Sequence, residues 1–466
     1  MSDALHLMTA RALAARVGAG SLRAADVARF FIERVQRLNP DLNAIVQFDP
    51  ALVLAEAAAV DQRLANGEQL PLAGVPFTVK DNLWVAGRRI TQGSLLFEDF
   101  VAPRDAWAVA RLRERGAVML GITNCSEFAC KGVSVNRVYG ATRHPLDPAL
   151  TPGGSSGGAA AALAAGLGLL ALGTDAGGST RRPAAHCGLV GLKPSAGLIP
   201  HPWGFAEPNY GLSVIGLLAR NVGDAAWLYD QLLAYDAGDP AGVPVLVGLQ
   251  ASDALATDPP RELRVAWSPR LGCDFAIDDD VLQALQLRVD ALRSAGWRIV
   301  DADPSWPAEV REYPLLALQQ AGLHALYGHR LRDARERFDP DLVLQIEAGA
   351  ACGPEVIARV LRLRERIAAS LARFFEEHDL LLCPSAPVTA WPLQQLGPPV
   401  IGGRAAGPRG HAAFTPLFNY CGVPACSVPA GEVRGLPVGL QVAAPRYEDA
   451  RVLQYAALVE GVATSR

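Results

Sequence analysis

The sequence predicts an α/β protein in which a central mixed, largely parallel twisted sheet is covered by helices on both faces. Three observations support this fold class. The 466 residues are 50% hydrophobic and 19% charged, which supplies a large core. Segments with helical and strand periodicity alternate along the chain. No repeat, low-complexity tract or long linker interrupts them, so residues 1–466 are expected to form a single domain.

The predicted elements of the first 200 residues begin with a helix that Ser21 would cap and that would end before Pro40. Its apolar face is formed by residues at helical spacing: Val27, Phe30, Phe31, Val35 and Leu38. The following segments predict a helix at 51–66, a strand at 72–79, a helix at 104–115 and a strand at 117–122. The apolar run 159–172 predicts a helix that is buried on all sides.

The second half of the chain continues this alternation after residue 219. Its predicted elements are a helix at 221–235, a loop at 245–260, a strand at 263–267, a helix at 279–295, a strand at 297–300, an Arg-rich helix at 354–378, a strand at 380–383, two strands within 427–443 and a helix at 449–460. These elements extend the same α/β architecture.

Composition excludes several classes of function. A net charge of −4 gives no electrostatic reason to expect nucleic acid or an anionic membrane as a partner. The first 18 residues lack the basic and apolar regions of a signal peptide, and the apolar run 159–172 is too short to span a bilayer, so a cytoplasmic protein is expected. The eight cysteines show no paired spacing, so neither a metal site nor a disulfide framework is expected, and no cofactor.

The use of lysine is unusual, because only Lys80, Lys131 and Lys193 stand among 43 basic residues. An ammonium group can lose its proton in a protein, whereas a guanidinium cannot. Lys80 ends an alternating strand and is therefore a candidate general base, for which its pKa would have to fall from ~10.4 to ~7–8. The alternative is a strand-end lysine whose ammonium group reaches solvent.

Two glycine-rich segments carry serines. Residues 153–158, Gly-Gly-Ser-Ser-Gly-Gly, precede the buried apolar run. A phosphate-binding loop would need a Lys-Ser/Thr pair where Ala159 and Ala160 stand, and a nucleophile elbow would need a strand before it. Two further interpretations remain. One is a constrained serine that acts with groups elsewhere in the fold, and the other is a tight turn with solvated serines. In residues 173–179, consecutive N–H groups beside Ser179 could stabilise an oxyanion, or the glycines could relieve crowding at a turn.

Taken together, these segments resemble the amidase signature family. The matching segments are GVPFTVKDN at 74–82, PGGSSGGAAAALAAG at 152–166, LGTDAGGSTRRPAAHCGLVGLKPSAG at 172–197, NYCGVPACSVPAG at 419–431 and GLPVGLQV at 435–442. The resemblance implies the amidase signature fold, with a signature core at 70–200 and a variable α/β and helical section at 240–375.

What the resemblance implies for catalysis is a Ser-Ser-Lys triad that hydrolyses a small carboxylic amide to acid and ammonia. Ser179 would be the nucleophile that forms an acyl-enzyme, Ser155, on a cis peptide after Gly154, would relay the proton, and Lys80 would be the neutral base. The oxyanion hole would be formed by the N–H groups of Ala176, Gly177, Gly178 and Ser179. Asp175 and Arg181 are expected to brace this loop as an ion pair. His186 and His411 are expected to be structural or surface groups.

The substrate pocket is the least determined part of the site. The residues proposed to line it are Cys125, Ser156, Trp203 and Phe205. For Cys125, a buried structural role is the alternative, and for the aromatic residues, covering a domain edge. The aromatic density favours a small uncharged amide substrate with an apolar or aryl acyl part.

Two other functions stay open on this sequence. The resemblance extends to the glutaminase (A) subunit of tRNA-dependent amidotransferases, which works with partner chains. In those subunits an acidic residue that holds the glutamine amino group precedes the segment matched here by Phe414-Thr415-Pro416, and Ala412 falls at its position. The other alternative is a catalytically inactive amidase-fold binding protein. Related enzymes are often dimers, so a homodimer is compatible with the resemblance.

Overall fold

The centre of the protein is an eleven-stranded mixed sheet, seen in a computed structural model that describes residues 4–244, 250–257 and 259–462. Its strands, with two short separate pairs, are β1 (Ile45–Phe48), β2 (Pro76–Lys80), β3 (Val118–Thr123), β4 (Val135–Asn136), β5 (Gly140–Ala141), β6 (Leu170–Asp175), β7 (Val190–Lys193), β8 (Val214–Ala219), β9 (Val265–Trp267), β10 (Ile299–Asp301), β11 (Leu380–Pro384), β12 (Val400–Ile401), β13 (Arg404–Ala405), β14 (Ala425–Val433) and β15 (Leu436–Ala443).

The strand order in the main sheet is β1-β3-β2-β6-β8-β7-β14-β15-β11-β9-β10. The mixed character is confirmed, but parallel pairing is confined to two groups, β3-β2-β6 and β11-β9-β10. The strands between these groups pair antiparallel, as does the edge pair β1-β3, and the only direct hairpin among the described central strands is β14-β15. The description "largely parallel" therefore holds only for the two groups.

Helices pack on the sheet and fill the connections between its strands. They are α1 (Ala10–Gly18), α2 (Ala24–Leu42), α3 (Pro50–Ala65), α4 (Trp107–Glu114), α5 (Gly157–Ala164), α6 (Arg181–Cys187), α7 (Val222–Leu232), α8 (Asp279–Ser294), α9 (Leu316–Tyr327), α10 (Leu331–Ala334), α11 (Pro340–Gly349), α12 (Pro354–Glu377), α13 (Pro416–Tyr420) and α14 (Asp449–Gly461). Within the described residues, no helix combines the length and apolarity needed to cross a bilayer.

The predicted boundaries of α2 were wrong at both ends. The Ser21 hydroxyl donates to the carbonyl of Arg16, so it belongs to the end of the preceding helix. The first N–H groups of α2 are instead satisfied by the Asp61 carboxylate, which accepts from Ala24 N at 2.7 Å and lies on the neighbouring α3. Pro40 lies inside the last turn, where the missing N–H costs one hydrogen bond. The helix ends at Leu42 and is followed by Asn43, which has a left-handed φ of 50°.

The apolar run 159–172 does not form the single helix that its composition suggested. It is divided into the end of α5 and the start of β6, and the division falls at Gly166 and Gly168, whose φ angles are 70° and 155°. Both elements are almost wholly buried, which explains why an apolar pattern with no preferred face could not distinguish helix from strand.

The other predicted helices and strands are present, with shifted ends. Strands β1, β7 and β8 of the main sheet and helices α1, α6, α9, α10, α11 and α13 were not predicted. Residues 245–249 and 258 of the predicted loop 245–260 lie outside the described residues. The variable section 240–375 contributes β9, β10 and α8 to the main sheet and its cover. In the other half of the main sheet, β2 pairs with β6 and α5 packs against both strands. The segment that ends in Lys80 and the two glycine-rich serine segments therefore lie next to one another.

Candidate active site

Lys80 is the last residue of β2, which pairs with β3 along one edge and with β6 along the other. Its side chain is fully buried, and its Nζ donates to Ser155 Oγ at 2.7 Å and to Thr174 Oγ1 at 3.0 Å. Lys80 forms no ion pair with any described carboxylate. A buried amine that contacts two hydroxyl groups and no carboxylate is disposed to lose its proton.

The environment of Lys80 lowers its pKa from 10.5 to about 8. Burial is the main cause, because desolvation disfavours the charged form, and the positive charge of Arg182 acts in the same direction. Asp175 and Cys125 oppose the shift. Near neutral pH a useful fraction of the protein therefore holds a neutral amine that can accept a proton from the Ser155 hydroxyl.

All three lysines of the chain are buried. The preference for arginine at other basic positions had singled out Lys80 as a lysine that could lose its proton. The exposed fractions are 0% for Lys80, 7% for Lys131 and 1% for Lys193. Lys131 forms an ion pair with Asp339 at 2.5 Å, and Lys193 donates to the carbonyl of Pro194 at 2.8 Å. Burial lowers the pKa of Lys193 to about 7.

Ser155 lies in the first glycine-rich segment, directly before α5, and follows a cis peptide bond between Gly154 and Ser155. The Ser134 hydroxyl holds this turn by donating to the carbonyls of Gly153 and Ser155 at 3.1 and 3.2 Å. No strand precedes the segment, which excludes the nucleophile elbow. Ser155 is fully buried, which excludes a turn with solvated serines.

Ser179 lies in the second glycine-rich segment, between β6 and α6. Its carbonyl accepts a hydrogen bond from Ser156 N at 3.1 Å, which ties the two glycine-rich segments together. Ser179 is 7% exposed and lines a cavity of about 40 Å³. The fold therefore brings the predicted Lys80, Ser155 and Ser179 to one place, with Ser179 at the cavity wall.

The four predicted oxyanion donors are not equivalent. Gly178 N donates to Asp175 Oδ1 at 2.7 Å, so this N–H is already engaged. The N–H groups of Ala176, Gly177 and Ser179 donate to no acceptor in the described part of the chain. Three of the four predicted donors are therefore without an acceptor among the described residues.

Asp175 and Arg181 form a buried ion pair that braces this loop. Arg181 Nη2 lies 2.9 Å from Asp175 Oδ1, and both side chains are 0% exposed. Burial alone would raise the pKa of Asp175, but the Arg181 guanidinium outweighs it and holds that pKa below its usual range. The remaining Arg181 donors reach three groups from the end of the chain: the Thr415 carbonyl and the side chains of Asn419 and Gln441.

Replacing Arg181 by methionine is expected to lower the free energy of unfolding by ~3–5 kcal/mol, because it leaves the Asp175 charge buried without its partner. Urea unfolding followed by circular dichroism measures this effect. The control is Arg264→Met, since the Arg264 side chain in its ion pair with Asp379 is 51% exposed. That change is expected to cost ~1 kcal/mol or less. Equal losses in the two variants would contradict the assignment of Arg181 as a brace.

Arg182 was not singled out by the sequence, yet it connects both serine segments. Its guanidinium donates to the carbonyls of Gly177 and Gly154, the latter at 3.3 Å, and to Thr415 Oγ1 at 3.0 Å. Burial lowers its pKa to about 10. The adjacent position of two arginines in the sequence gave no indication of which one bridges the loops.

Of the predicted pocket residues, only Phe205 lines the cavity beside Ser179. The Trp203 indole instead donates to the carbonyl of Asp105 and packs under Arg104, so it covers an edge of the fold. Cys125 is fully buried, and burial raises the pKa of its thiol, as the structural alternative required. Ser156 is turned inward and donates to the carbonyl of Thr174 at 3.4 Å. The assignments of Trp203, Cys125 and Ser156 to the pocket are therefore corrected.

The two histidines are structural, as expected. His186 and His411 are buried on either side of Trp391, at ring-centroid distances of 5.4 and 5.3 Å. Burial lowers the pKa of His186 to about 3 and that of His411 well below its ordinary value. Among the described residues, Nε2 of His186 and Nε2 of His411 have no hydrogen-bond partner, so neither bonds to a serine hydroxyl.

A second, larger cavity of about 830 Å³ lies close to the loop formed by residues 176–179. Tyr313 lines this cavity, and its hydroxyl contacts Gly177 so closely that a Cβ at that position would collide with it. Apolar side chains on its wall include Phe275, Trp306 and Leu316. These residues come from the variable section, where no motif indicated a contribution to the site.

Comparison with known proteins identifies relatives over nearly the whole chain. A family model described as Amidase matches residues 26–453. The chain is 36% identical to the A subunit of glutamyl-tRNA(Gln) amidotransferase from Thermus thermophilus, over 98% of both chains. It is also 36% identical to an acylamidase from Rhodococcus erythropolis, over 98% of this chain and 96% of the relative. A solved bacterial aryl acylamidase of the amidase signature family superposes with a TM-score of 0.90 at 25% identity, covering 99% of this chain and 97% of the other.

Proposed function

Since the chain belongs to the amidase signature family and is an amide hydrolase, we propose that it cleaves small carboxylic amides to acid and ammonia through Ser179, Ser155 and Lys80. The observation that carries this proposal is the contact of 2.7 Å between Lys80 Nζ and Ser155 Oγ. It joins a desolvated amine to a hydroxyl in the glycine-rich segment that Ser156 N ties to the Ser179 carbonyl.

In the proposed reaction, neutral Lys80 takes the Ser155 proton while Ser155 takes the Ser179 proton. Ser179 Oγ then bonds to the amide carbon, and the carbonyl oxygen becomes an oxyanion held by the free N–H groups of Ala176, Gly177 and Ser179. The proton returns through Ser155 to the nitrogen, the C–N bond breaks and ammonia leaves. Water attacks the ester by the same proton route, which releases the acid and restores Ser179.

The larger cavity supports an apolar acyl part. The Ser179 cavity, at about 40 Å³, is much smaller than the second cavity. The cavity of about 830 Å³ adjoins the oxyanion loop at Tyr313, and aromatic and aliphatic side chains form much of its wall. An aryl or alkyl acyl group would occupy this space.

The alternative function, a glutaminase subunit of a tRNA-dependent amidotransferase, is supported by equal identity to such a subunit and to an acylamidase. Against it stands Ala412, which is buried where the resemblance places a carboxylate for the glutamine amino group. The two functions differ in the preferred donor and in the need for partner chains.

Ammonia release from a panel of amides tests the proposal. We expect the chain alone to hydrolyse benzamide and propionamide, with kcat/KM for either at least ~10-fold above that for glutamine. Without the acidic partner, glutamine loses ~1.5–3 kcal/mol of charge-assisted hydrogen bonding. Preference for glutamine, or activity only with partner chains, would favour the amidotransferase subunit. Failure with every amide and activated ester would favour the inactive binding protein.

A further inference from the structure

We propose that Lys131 and Glu127 are positioning residues for substrate binding. They fasten the turn formed by residues 127–131 to the start of α11, and this turn forms part of the walls of both cavities. Both residues act through the turn and not on the substrate itself. This inference rests on the proposed function and adds residues that support its substrate site.

Two bonds join the turn to Asp339, the residue directly before α11. Lys131 Nζ lies 2.5 Å from Asp339 Oδ2, and Glu127 Oε2 accepts from Asp339 N at 2.7 Å. Lys131 Nζ also lies 3.3 Å from Asp341 Oδ1. The side chains of Lys131 and Asp339 are 6% and 8% exposed, so solvent screens their ion pair little. Removing the cation would leave a carboxylate buried without its partner.

The backbone of the turn needs such an attachment. Phe128 and Ala129 have φ angles of 49° and 59°, in the left-handed region that residues other than glycine rarely adopt. Two adjacent residues in this region cost free energy, so the surrounding structure has to hold them there. Phe128 stacks on Tyr327, the last residue of α9, at a centroid distance of 4.1 Å, and α9 packs against α11. The same pair of helices therefore holds the turn at Phe128 and at Asp339.

The turn contributes to the walls of both cavities. Phe128 and Ala129 line the small cavity together with Ser179. The carbonyl of Cys130 accepts from Arg409 Nη2 at 3.1 Å, and Arg409 lines the larger cavity. A shift of the turn would therefore move groups in the small cavity and in the larger one at the same time.

The expected consequence of loosening the turn is a change in KM and not in kcat. A cavity wall holds the substrate equally in the ground state and in the transition state, and the loss of such uniform binding raises KM. A residue that supports only the global fold gives a different pattern. Its loss increases the unfolded fraction, which lowers the apparent kcat and leaves the KM of the folded molecules unchanged.

Steady-state hydrolysis of benzamide by Lys131→Met tests the proposal. We expect KM to rise ~10-fold while kcat stays within about threefold of the wild type. Arg113→Met is the matched control, because Arg113 also pairs with two carboxylates, those of Glu56 and Asp105. In the described part of the chain, none of these three residues lines either cavity. The control should lose stability in urea unfolding but keep KM within about twofold.

A rescue experiment connects the effect to the backbone of the turn. Glycine adopts left-handed φ angles without the cost that alanine carries, so Ala129→Gly should reduce the support that the turn needs. We expect Lys131→Met/Ala129→Gly to return KM to within about threefold of the wild type, and Ala129→Gly alone to change it less than about twofold. If Lys131→Met does not fold, Lys131→Met/Asp339→Asn replaces it, because this variant removes both charges of the pair.

The outcomes separate this inference from the function on which it rests. Wild-type protein that releases no ammonia from any amide would remove the proposed function and this inference with it. An active wild type whose KM is unchanged in Lys131→Met, or in Lys131→Met/Asp339→Asn, would overturn the positioning role alone. The same conclusion would follow from an equal rise of KM in Arg113→Met, or from a rise that Ala129→Gly does not reduce.

Discussion

Replacing Ser179 by alanine is expected to lower kcat/KM for amides by ~10⁴-fold or more, because no other group could form the acyl-enzyme. The oxyanion donors and the cavities would remain, so KM should change little while kcat falls. Steady-state ammonia release measures the loss. Labelling by a serine-directed sulfonyl fluoride, followed by mass spectrometry, should also disappear in this variant.

The matched control for this experiment is Ser370→Ala, a buried serine on α12 whose hydroxyl accepts from Arg373. It is expected to retain kcat/KM within about twofold, since surface and core changes away from the site act mainly on stability. Retention of a tenth or more of the activity by Ser179→Ala would remove this residue as the nucleophile.

Replacing Lys80 by methionine is expected to lower kcat by ~10³-fold at pH 7, because general-base assistance contributes ~10²–10⁴. The fold should not suffer, since a buried lysine that forms no ion pair among the described residues costs desolvation energy that methionine avoids. Urea unfolding should therefore show a stability equal to or above that of the wild type. If Lys80→Met is both inactive and unfolded, its loss of activity does not report on the base. Lys80→Arg then tests the base independently, because its guanidinium stays charged and cannot accept a proton.

The pH dependence of the wild type follows from the same group. The base must be neutral, so kcat/KM should rise with pH and level off above the Lys80 pKa of about 8. Between that value and the ordinary 10.5, the unfolded chain binds more protons at this site than the folded one. Lys80 therefore destabilises the fold fully below about 8, and this cost is relieved as pH rises toward 10.5. A pH profile of kcat/KM that is flat from 6 to 9 would contradict the assignment of Lys80.

The sequence predicted the parts of the site that need special residue types. A lysine in an arginine-rich chain and glycines directly before Ser155 and Ser179 mark positions where charge and backbone freedom matter. The resemblance to the amidase signature family then gave roles to Lys80, Ser155 and Ser179, and the fold places Lys80 Nζ 2.7 Å from Ser155 Oγ. The engaged N–H of Gly178 was missed, because it depends on the side-chain orientation of Asp175, which no spacing reveals.

The pocket could not be predicted for a different reason. Trp203 and Phe205 are two positions apart in one loop, but only Phe205 meets the aromatic cluster formed by Trp84, Phe97 and Phe100. That cluster comes from a segment more than a hundred residues earlier. The same holds for Tyr313, which reaches Gly177 from the variable section. Whether an ordinary apolar or aromatic residue lines a cavity depends on contacts with residues far away in the chain, and the sequence does not reveal these contacts.

The burial of every lysine also determines the charge of the protein surface in alkaline solution. Its cationic side chains there are almost all guanidinium groups, which keep their charge at any pH that an enzyme tolerates. While the hidden amine at the end of β2 changes its ionisation, the electric field at the protein's exterior stays nearly constant. The attraction of substrate to the surface and the solubility of the protein therefore do not change when Lys80 gains or loses its proton.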